Sequence, residues 1–466
     1  MEKIRLFYYN NRRWFYTLQF IGYSMILLLL VSAIDLRFLP IQEQLPEILL
    51  TKVSLAKSIL TTLAGALLTI TTFTFSTILA VMTMYASNYT PRVVENFVNM
   101  KITMQVLGIF VGGFFYCISM LVFMRDRFED EQVVAGVVAV IYSVIGIIYF
   151  VVFVQSVLSK FQGVNLIFDI AEESEDVVNT EFKDRSETAE YVREDDSERV
   201  PIYSVKDGYL SVIDYERLSK LLEEHEGVFV IMEQLGNYVI KGQEIGYINL
   251  CGGFAEKFCS LADLAKAAQI DELKSLDPER ELSEAEEAQL EKCKKAKEFL
   301  QALAECFFMQ DRKLSSKDYR YNLLKLEEIA LRALSPGIND PNTAIHVIRK
   351  LGVIMAPLAT TDYYHIAKRD ATGCQIFYTS YQFKDDLYAF YSRLVHYGKG
   401  DILVLLAIFN SLKIMKVGAT SKQSAVIDEF ADYVLEAGQG SLELKLDKEK
   451  LEEGYEKLCE NRARIY

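Results

Sequence analysis

The sequence predicts a membrane α-helical domain of four transmembrane helices, followed by a cytosolic α+β domain. The latter is expected to hold a small β-barrel or barrel-sandwich-like module and a helical C-terminal region. Three observations carry this. Apolar residues make up 51% of 466, and mean hydropathy is +0.13, a high balance for a soluble chain. The excess lies before about residue 160, in four runs near the roughly 20 residues that a bilayer core requires. Beyond residue 200 the apolar period drops to two and then returns to the helical one. The expected division is a membrane domain at 1–160, an acidic linker or helix extension at 161–199, a β-module at 200–252, a helical domain at 253–440 and a charged tail or helix at 441–466.

Charge and cysteine content narrow the class. A net charge of -14 argues against nucleic acid, whose binding needs a basic patch. The seven cysteines form no C-x-x-C pair, which fits reduced thiols in a reducing compartment. The four histidines make no i, i+4 pair, so no metal site is expected. The N-terminal apolar run is long and lacks a small-x-small cleavage site, so it reads as a first span and not as a cleavable signal.

The spans are expected near Trp14–Ala33, Leu60–Met84, Gln105–Met124 and Val133–Leu158. Lys3, Arg5, Arg12 and Arg13 precede the first, which places the N-terminus in the cytosol. Four crossings return the chain to the same side, so both termini are expected there. No Asp, Glu, Lys or Arg lies within a span. That argues against proton-coupled or charge-relay transport.

The second span stands apart. Thr62, Gly65, Thr69, Thr72, Ser76, Ala80, Thr83 and Ser87 recur every three to four residues, which puts small and hydroxyl-bearing groups on one face. A packing seam between helices is one reading. The wall of a hydrated path in an oligomer is the other, with Thr62, Thr69, Thr72, Ser76, Thr83 and Ser87 as lining residues. The stripe ends at Tyr89-Thr90-Pro91-Arg92, where Thr90 can cap a helix with Pro91 at its first position. Pro91 and Arg92 are expected at the membrane interface.

After Ser159–Asp169, of helical character, Glu172–Arg199 is acidic and poor in large apolar residues, as a solvated linker is. From Val200 to Leu250, short apolar runs alternate with glycine turns around a helix at Leu218–Glu224. Biotinyl and lipoyl carriers share this rhythm but need a lysine at a hairpin tip between the halves. A helix stands there instead. Lys241 is therefore read as a solvated turn residue, and no covalent cofactor is expected. Ala255–Phe308 reads as helix, with Ser283 and Glu286 at capping-box spacing and Phe299, Leu303 and Phe307 as its buried stripe. Glu327 and Glu328 on the next helix read as surface charges. Beyond the corner, Gln375–Tyr378 is strand-like, and helices are expected near Lys384–Tyr397, Asp401–Met415 and Ser421–Glu436, with Asp385 and Asp386 complementing a helix dipole.

Between Leu334 and Ala344 the chain packs a helix stop, a loop and a helix start into few residues. Pro336 cannot continue a helix, and Gly337 suits a left-handed cap. Asp340 before Pro341 fits an N-cap followed by proline at N1. The stretch is a corner between two helices, or a ligand loop in which Ser335, Asn339, Asn342 and the first amides of the Pro341 helix hold an anion. A metal on Asn339 and Asp340 has too few oxygens. No Ser-His-Asp set, P-loop or G-x-G-x-x-G occurs, so no enzymatic activity is expected.

Ile329-Ala330-Leu331-Arg332-Ala333-Leu334-Ser335-Pro336-Gly337-Ile338-Asn339-Asp340-Pro341-Asn342-Thr343-Ala344 resembles the signature of the bacterial membrane-protein family defined by domain of unknown function 2254. Tyr89-Thr90-Pro91-Arg92 and Gly208-Tyr209-Leu210 also look like that family. The likeness runs from the first span to about Met415. Where the family often has Gln-Asp-Pro-x-Phe-Gly, this chain has Ser316-Lys317-Asp318-Tyr319-Arg320-Tyr321, and Asp271–Lys297 looks like added length. The resemblance implies location in a bacterial inner membrane and supplies no activity. The residues themselves point to an oligomeric, channel-like or transport-related protein with a cytosolic regulatory domain, having the lipid bilayer, further copies of itself and an ion or small solute as partners. The alternative is a membrane-anchored sensor or scaffold that binds its partner at the corner.

Overall fold

The computed structural model describes residues 2–38, 45–93, 101–124, 132–161, 163–186, 199–223, 227–250, 253–260, 263–267, 283–311, 313, 318–363, 365–369 and 375–460. They form two compact units, Met1–Leu166 and Ile167–Tyr466.

The first unit consists of α1 (Glu2–Asp35), α2 (Val53–Asn88), α3 (Lys101–Phe123) and α4 (Ala135–Phe161). Each is long and apolar enough to cross a membrane. Half of the α3 span is buried inside the unit, against 22% of each of the others, so α3 is the central helix. Its glycines make this possible. A Cβ at Gly108 would stand 2.7 Å from the Thr17 carbonyl oxygen, and one at Gly112 2.3 Å from Ser24 Oγ. Gly108 and Gly112 are thus a small-xxx-small pair that lets α1 approach closely. Tyr142 Oη of α4 donates to the Ile109 carbonyl at 2.6 Å and bonds Ser24 Oγ of α1 at 2.7 Å.

At one end of this bundle, Asp35 closes α1 onto α4. Its carboxylate accepts from the Val134 and Ala135 amides at 2.8 and 3.1 Å, the place where a helix N-terminus favours negative charge. Two short strands, β1 (Thr51–Lys52) and β2 (Gln132–Val133), pair antiparallel beside it. α2 begins at Val53, directly after β1, and not at Leu60.

In the second unit, the stretch expected as an acidic linker is helical as far as Ser186, in α5 (Gly163–Ser186). Ser174, Val178 and Arg185 are buried on it. Residues 187–198 of that stretch lie outside the described residues.

The barrel expectation is corrected. Among the described residues of the second unit there are two open sheets and no closed barrel. One has five strands in the order β3 (Val200–Tyr203), β7 (Glu244–Leu250), β5 (Gly227–Ile231), β10 (Gln375–Thr379) and β9 (His365–Arg369). The other has three, β6 (Tyr238–Val239), β4 (Gly208–Ile213) and β8 (Phe307–Gln310). The physical reason is that β5 and β4 each take a partner from far along the chain. β10 pairs parallel with β5, and β8 pairs antiparallel with β4. Phe307, expected on a helix stripe, instead belongs to β8, where it and Met309 are buried while Phe308 and Gln310 are less so, the period of two of a half-buried strand. α6 (Tyr215–Glu223) and α7 (Glu284–Ala304) cover this module. Ser283 and Glu286 form the capping box at the start of α7. Phe229, Ile248, Phe299, Leu303, Phe307 and Ile376 meet in one core.

The remainder is helical: α8 (Tyr319–Ala333), α9 (Pro341–Ala359), α10 (Phe383–Gly398), α11 (Ile402–Lys416), α12 (Ser421–Ser441) and α13 (Lys445–Cys459). Gly352 on α9 admits α11, since a Cβ there would stand 2.3 Å from Ser411 Oγ. Ser411 in turn donates to the Ile348 carbonyl at 3.0 Å and bonds Tyr391 Oη of α10 at 2.5 Å.

Candidate functional site

The stripe on α2 is continuous and uncovered. Thr62, Thr69, Thr72, Ser76, Thr83 and Ser87 are all exposed. The face of α2 that packs on its own unit is a different, apolar one, carrying Ala56, Leu60, Ala64, Leu67, Ile78 and Val81. Among the described residues of this unit, then, nothing covers the hydroxyl face. Five of these six hydroxyls bond back along their own helix. Thr62 Oγ1 donates to the Ser58 carbonyl at 2.9 Å, Thr69 to Gly65 at 2.9 Å, Thr72 to Leu68 at 3.0 Å and Thr83 to Leu79 at 2.9 Å. Ser87 reaches the Met84 carbonyl at 2.7 Å. Such back-bonding removes the cost of a bare donor in an apolar medium. Each hydroxyl oxygen still offers lone pairs outward.

Beyond the stripe, residues 91–93 are helical, and the Val93 amide donates to the Thr90 carbonyl at 3.0 Å. Pro91 and Arg92 are exposed. The rest of the helix expected there lies outside the described residues.

At the signature corner Ser335 and Asp340 are engaged within the corner itself, while Asn339 and Asn342 are exposed. Ser335 Oγ donates to the Arg332 carbonyl at 2.6 Å. The Ile338 and Asn339 amides donate to the Ser335 carbonyl, and the Asp340 amide to the Ala333 carbonyl. Asp340 caps α9 with both oxygens, accepting from the Thr343 amide at 3.2 Å and the Thr343 hydroxyl at 2.6 Å. Pro341 is the first residue of α9. The left-handed position is Asn339, with φ +52°, and not Gly337, which faces open space. Asparagine tolerates this conformation better than most side chains. A carboxylate of the chain itself therefore already occupies the position that an anion would take at the α9 N-terminus.

A second cluster, which the sequence reading did not single out, surrounds the first turn of α8. Arg185 is 1% exposed. Its Nη2 donates to Ser380 Oγ at 2.9 Å, the Tyr381 carbonyl at 2.8 Å and Tyr319 Oη at 3.3 Å. Tyr319 Oη donates to Asp386 Oδ2 at 2.5 Å. Arg320 Nε lies 2.9 Å from Asp386 Oδ1, and its guanidinium stands 3.9 Å over the Tyr381 ring. Burial depresses the Arg320 pKa, but Asp386, Tyr381 and Tyr319 more than offset this and raise it. Asp386, expected to serve a helix dipole, is completely buried as the hub of this network.

Asp318 caps α8 and accepts from the Tyr321 amide at 3.3 Å. Its other oxygen, Oδ2, has no hydrogen-bond partner and lies 4.0 Å from Lys313 Nζ. Burial pushes its carboxyl up to about 6, against the opposing pull of Lys313. Two turns further on, Glu327 is also completely buried, contrary to its reading as a surface charge. Its Oε2 meets Arg393 Nη2 of α10 at 2.8 Å. The cue in the sequence was the periodicity, for Leu323, Leu326, Glu327 and Ala330 share one helix face. Among the described residues, no group of acidic, histidine and cysteine side chains is arranged to hold a metal.

Four apolar helices joined to a separate α/β unit define a class: a multi-pass membrane protein with a substantial non-membrane part. The match to known families places the chain within that class. It belongs to the family described as predicted membrane protein, DUF2254, which matches residues 10–413. Two uncharacterised mycobacterial proteins, from Mycobacterium bovis and Mycobacterium tuberculosis, are each 22% identical over 372 residues, 77% of this chain. The chain spans 63% of the length of those relatives. A further uncharacterised Mycobacterium tuberculosis protein is 36% identical over 97 residues, 21% of this chain and 19% of its own. No solved structure matches the chain.

Proposed function

We propose that this protein is an oligomeric, channel-like protein of the bacterial inner membrane, with α2 lining the path and the second unit acting as a cytosolic regulatory domain. The observation that carries this is the direction of the α2 stripe, which turns away from the other described helices of its own unit. α2 has 36 residues, about 54 Å at the helical rise, so its polar face extends across the whole hydrocarbon core. Copies arranged around an axis would remove this face from lipid, and its small residues allow close approach. Because the protons of Thr62, Thr69, Thr72, Thr83 and Ser87 are committed to carbonyls, the face presents acceptor oxygens at those levels. That favours water and hydrated monovalent cations over anions.

The sensor or scaffold reading is carried less far. It needs polar groups free at the corner, and both Asp340 oxygens are engaged as a cap. Purified protein in liposomes should pass K⁺ in preference to Cl⁻, and Thr69→Leu or Ser76→Leu should reduce that flux at least tenfold. Wild-type flux equal to that of empty liposomes overturns the reading.

A further inference from the structure

Helices α8 and α10 run side by side in the same direction, and two ion pairs join them. Near their first turns Arg320 of α8 meets Asp386 of α10, and two turns on Glu327 of α8 meets Arg393 of α10. The charges are swapped between the two pairs, so sliding one helix along the other by two turns would bring like charges together. The pairs differ in their access to water. Asp386 is completely buried, and Arg320 is covered by the Tyr381 and Phe390 rings. In the second pair Glu327 is completely buried, while the Arg393 side chain is 52% exposed. Glu327 Oε1 has no hydrogen-bond partner.

We propose that the Glu327–Arg393 contact is a proton-operated latch between α8 and α10, closed when Glu327 is ionised and open when it is neutral.

The asymmetry of the pair supports this. An ionised carboxylate with one oxygen unpaired in the interior is held there only by the guanidinium at its other oxygen. Once neutral, Glu327 no longer holds Arg393, whose side chain already reaches solvent and can be hydrated at little cost. The charged groups facing Glu327 are Arg393 from α10, which favours ionisation, and Glu328 on its own helix, which opposes it. Burial outweighs both and pushes the carboxyl up to about 7, within the range a cell interior visits. The upstream pair is held by more than its charges, because Asp386 also accepts from Tyr319 Oη and the Arg320 guanidinium is stacked on the Tyr381 ring. α8 leads directly into the Leu334–Asp340 corner, so the latch sets how firmly the helix entering the corner is held.

The sign of the pH dependence follows from linkage. Glu327 has a folded-state pKa above its unfolded value. Its contribution to stability is therefore fully present below about 4.5 and is lost as pH rises through about 7. Full-length protein in nanodiscs tests both aspects. Thermal midpoints of wild type and Glu327→Gln, compared from pH 5 to 8.5, should diverge with pH, wild type losing ground as pH rises. Arg393→Gln, at a half-exposed position, should keep the fold and move the midpoint of the wild-type profile upward by about one pH unit. Hydrogen exchange in α10, corrected for intrinsic rates, should be faster at pH 5.5 than at pH 8 in wild type and show no such difference in Glu327→Gln. The latch is overturned by a wild-type-to-Glu327→Gln difference that stays constant with pH, or by an Arg393→Gln profile that does not move. Should Glu327→Gln fail to fold, the Arg393→Gln comparison decides alone.

Discussion

Helices α2 and α8 both carry polar side chains at helical spacing, and they use them in opposite ways. On α2 the threonines and serines of the stripe are exposed, and the protons of Thr62, Thr69 and Thr83 go to carbonyls of the same helix. On α8 the polar groups are buried and bonded across elements, Tyr319 and Arg320 to α10 and Tyr319 also to Arg185 of α5. The difference lies in reach. A short hydroxyl satisfies itself within one turn and makes no demand on its neighbours. A charged or phenolic group cannot do so and, once buried, must recruit partners from other elements. The α8 cluster should therefore be stiff and costly to break. The α2 stripe should be nearly free of consequence for folding.

The largest effect is expected at the hub. Asp386→Ala removes the acceptor of Tyr319 and the counter-charge of Arg320 in one step. Breaking a buried pair on one side costs about 3–5 kcal/mol, so thermal unfolding in detergent should begin far earlier, with α5 and α10 losing exchange protection together. A change within about 0.5 kcal/mol would mean that the network is decorative and would erase the contrast.

Next comes Gly236→Ala. Gly236 has φ +84°, and a Cβ there would stand 2.1 Å from Asp318 Oδ2. Backbone strain at such a position costs about 1–3 kcal/mol, and the carboxylate must also shift. Replacing Asp318 with Gly in the same chain should recover part of the loss, because it removes the atom that the new methyl group strikes. Smaller again is Asp340→Ala, which removes an N-cap worth about 0.5–2 kcal/mol. Thr343→Ala should cost less than Asp340→Ala, since the Thr343 amide keeps its acceptor and only the side-chain bond is lost.

What was legible in the sequence followed the same division between local and distant. The four apolar helices, the capping box at Ser283 and the Asp340-Pro341 helix start are local patterns, and each could be read from a few consecutive residues. The sheets were not legible as built, because β10 and β8 come from residues 375–379 and 307–310 to pair with strands near 230 and 210. No local period encodes that pairing, and a barrel was inferred where two open sheets stand. Glu327 was misread for a related reason. Its charge suggested the surface, whereas its place on the face of Leu323, Leu326 and Ala330 marked it as buried. The left-handed residue of the corner was assigned to Gly337 on propensity, but the Ser335 carbonyl draws in the Asn339 amide and sets the positive φ there. Gly108 and Gly112 on α3 show the converse, a local spacing that was present and was passed over.

The smallest stability effect belongs to the stripe, and it carries the sharpest contrast. Thr69→Val keeps the shape of an exposed side chain and removes only a hydroxyl whose bond runs to Gly65 of its own helix. Its effect on unfolding of the first unit should stay within about 0.5 kcal/mol, as for surface changes in general. Cation flux in liposomes should nevertheless fall, because the acceptor oxygen that the path presents at that level is gone. Thr74→Val makes the paired control. Thr74 lies on the same helix but is fully buried, with no hydrogen-bond partner for its hydroxyl, so losing that hydroxyl should hold or raise stability and leave flux unchanged. If Thr74→Val lowers flux and Thr69→Val does not, the conducting face is the one turned toward the chain's own bundle, and the outward stripe serves only contact between copies or with lipid.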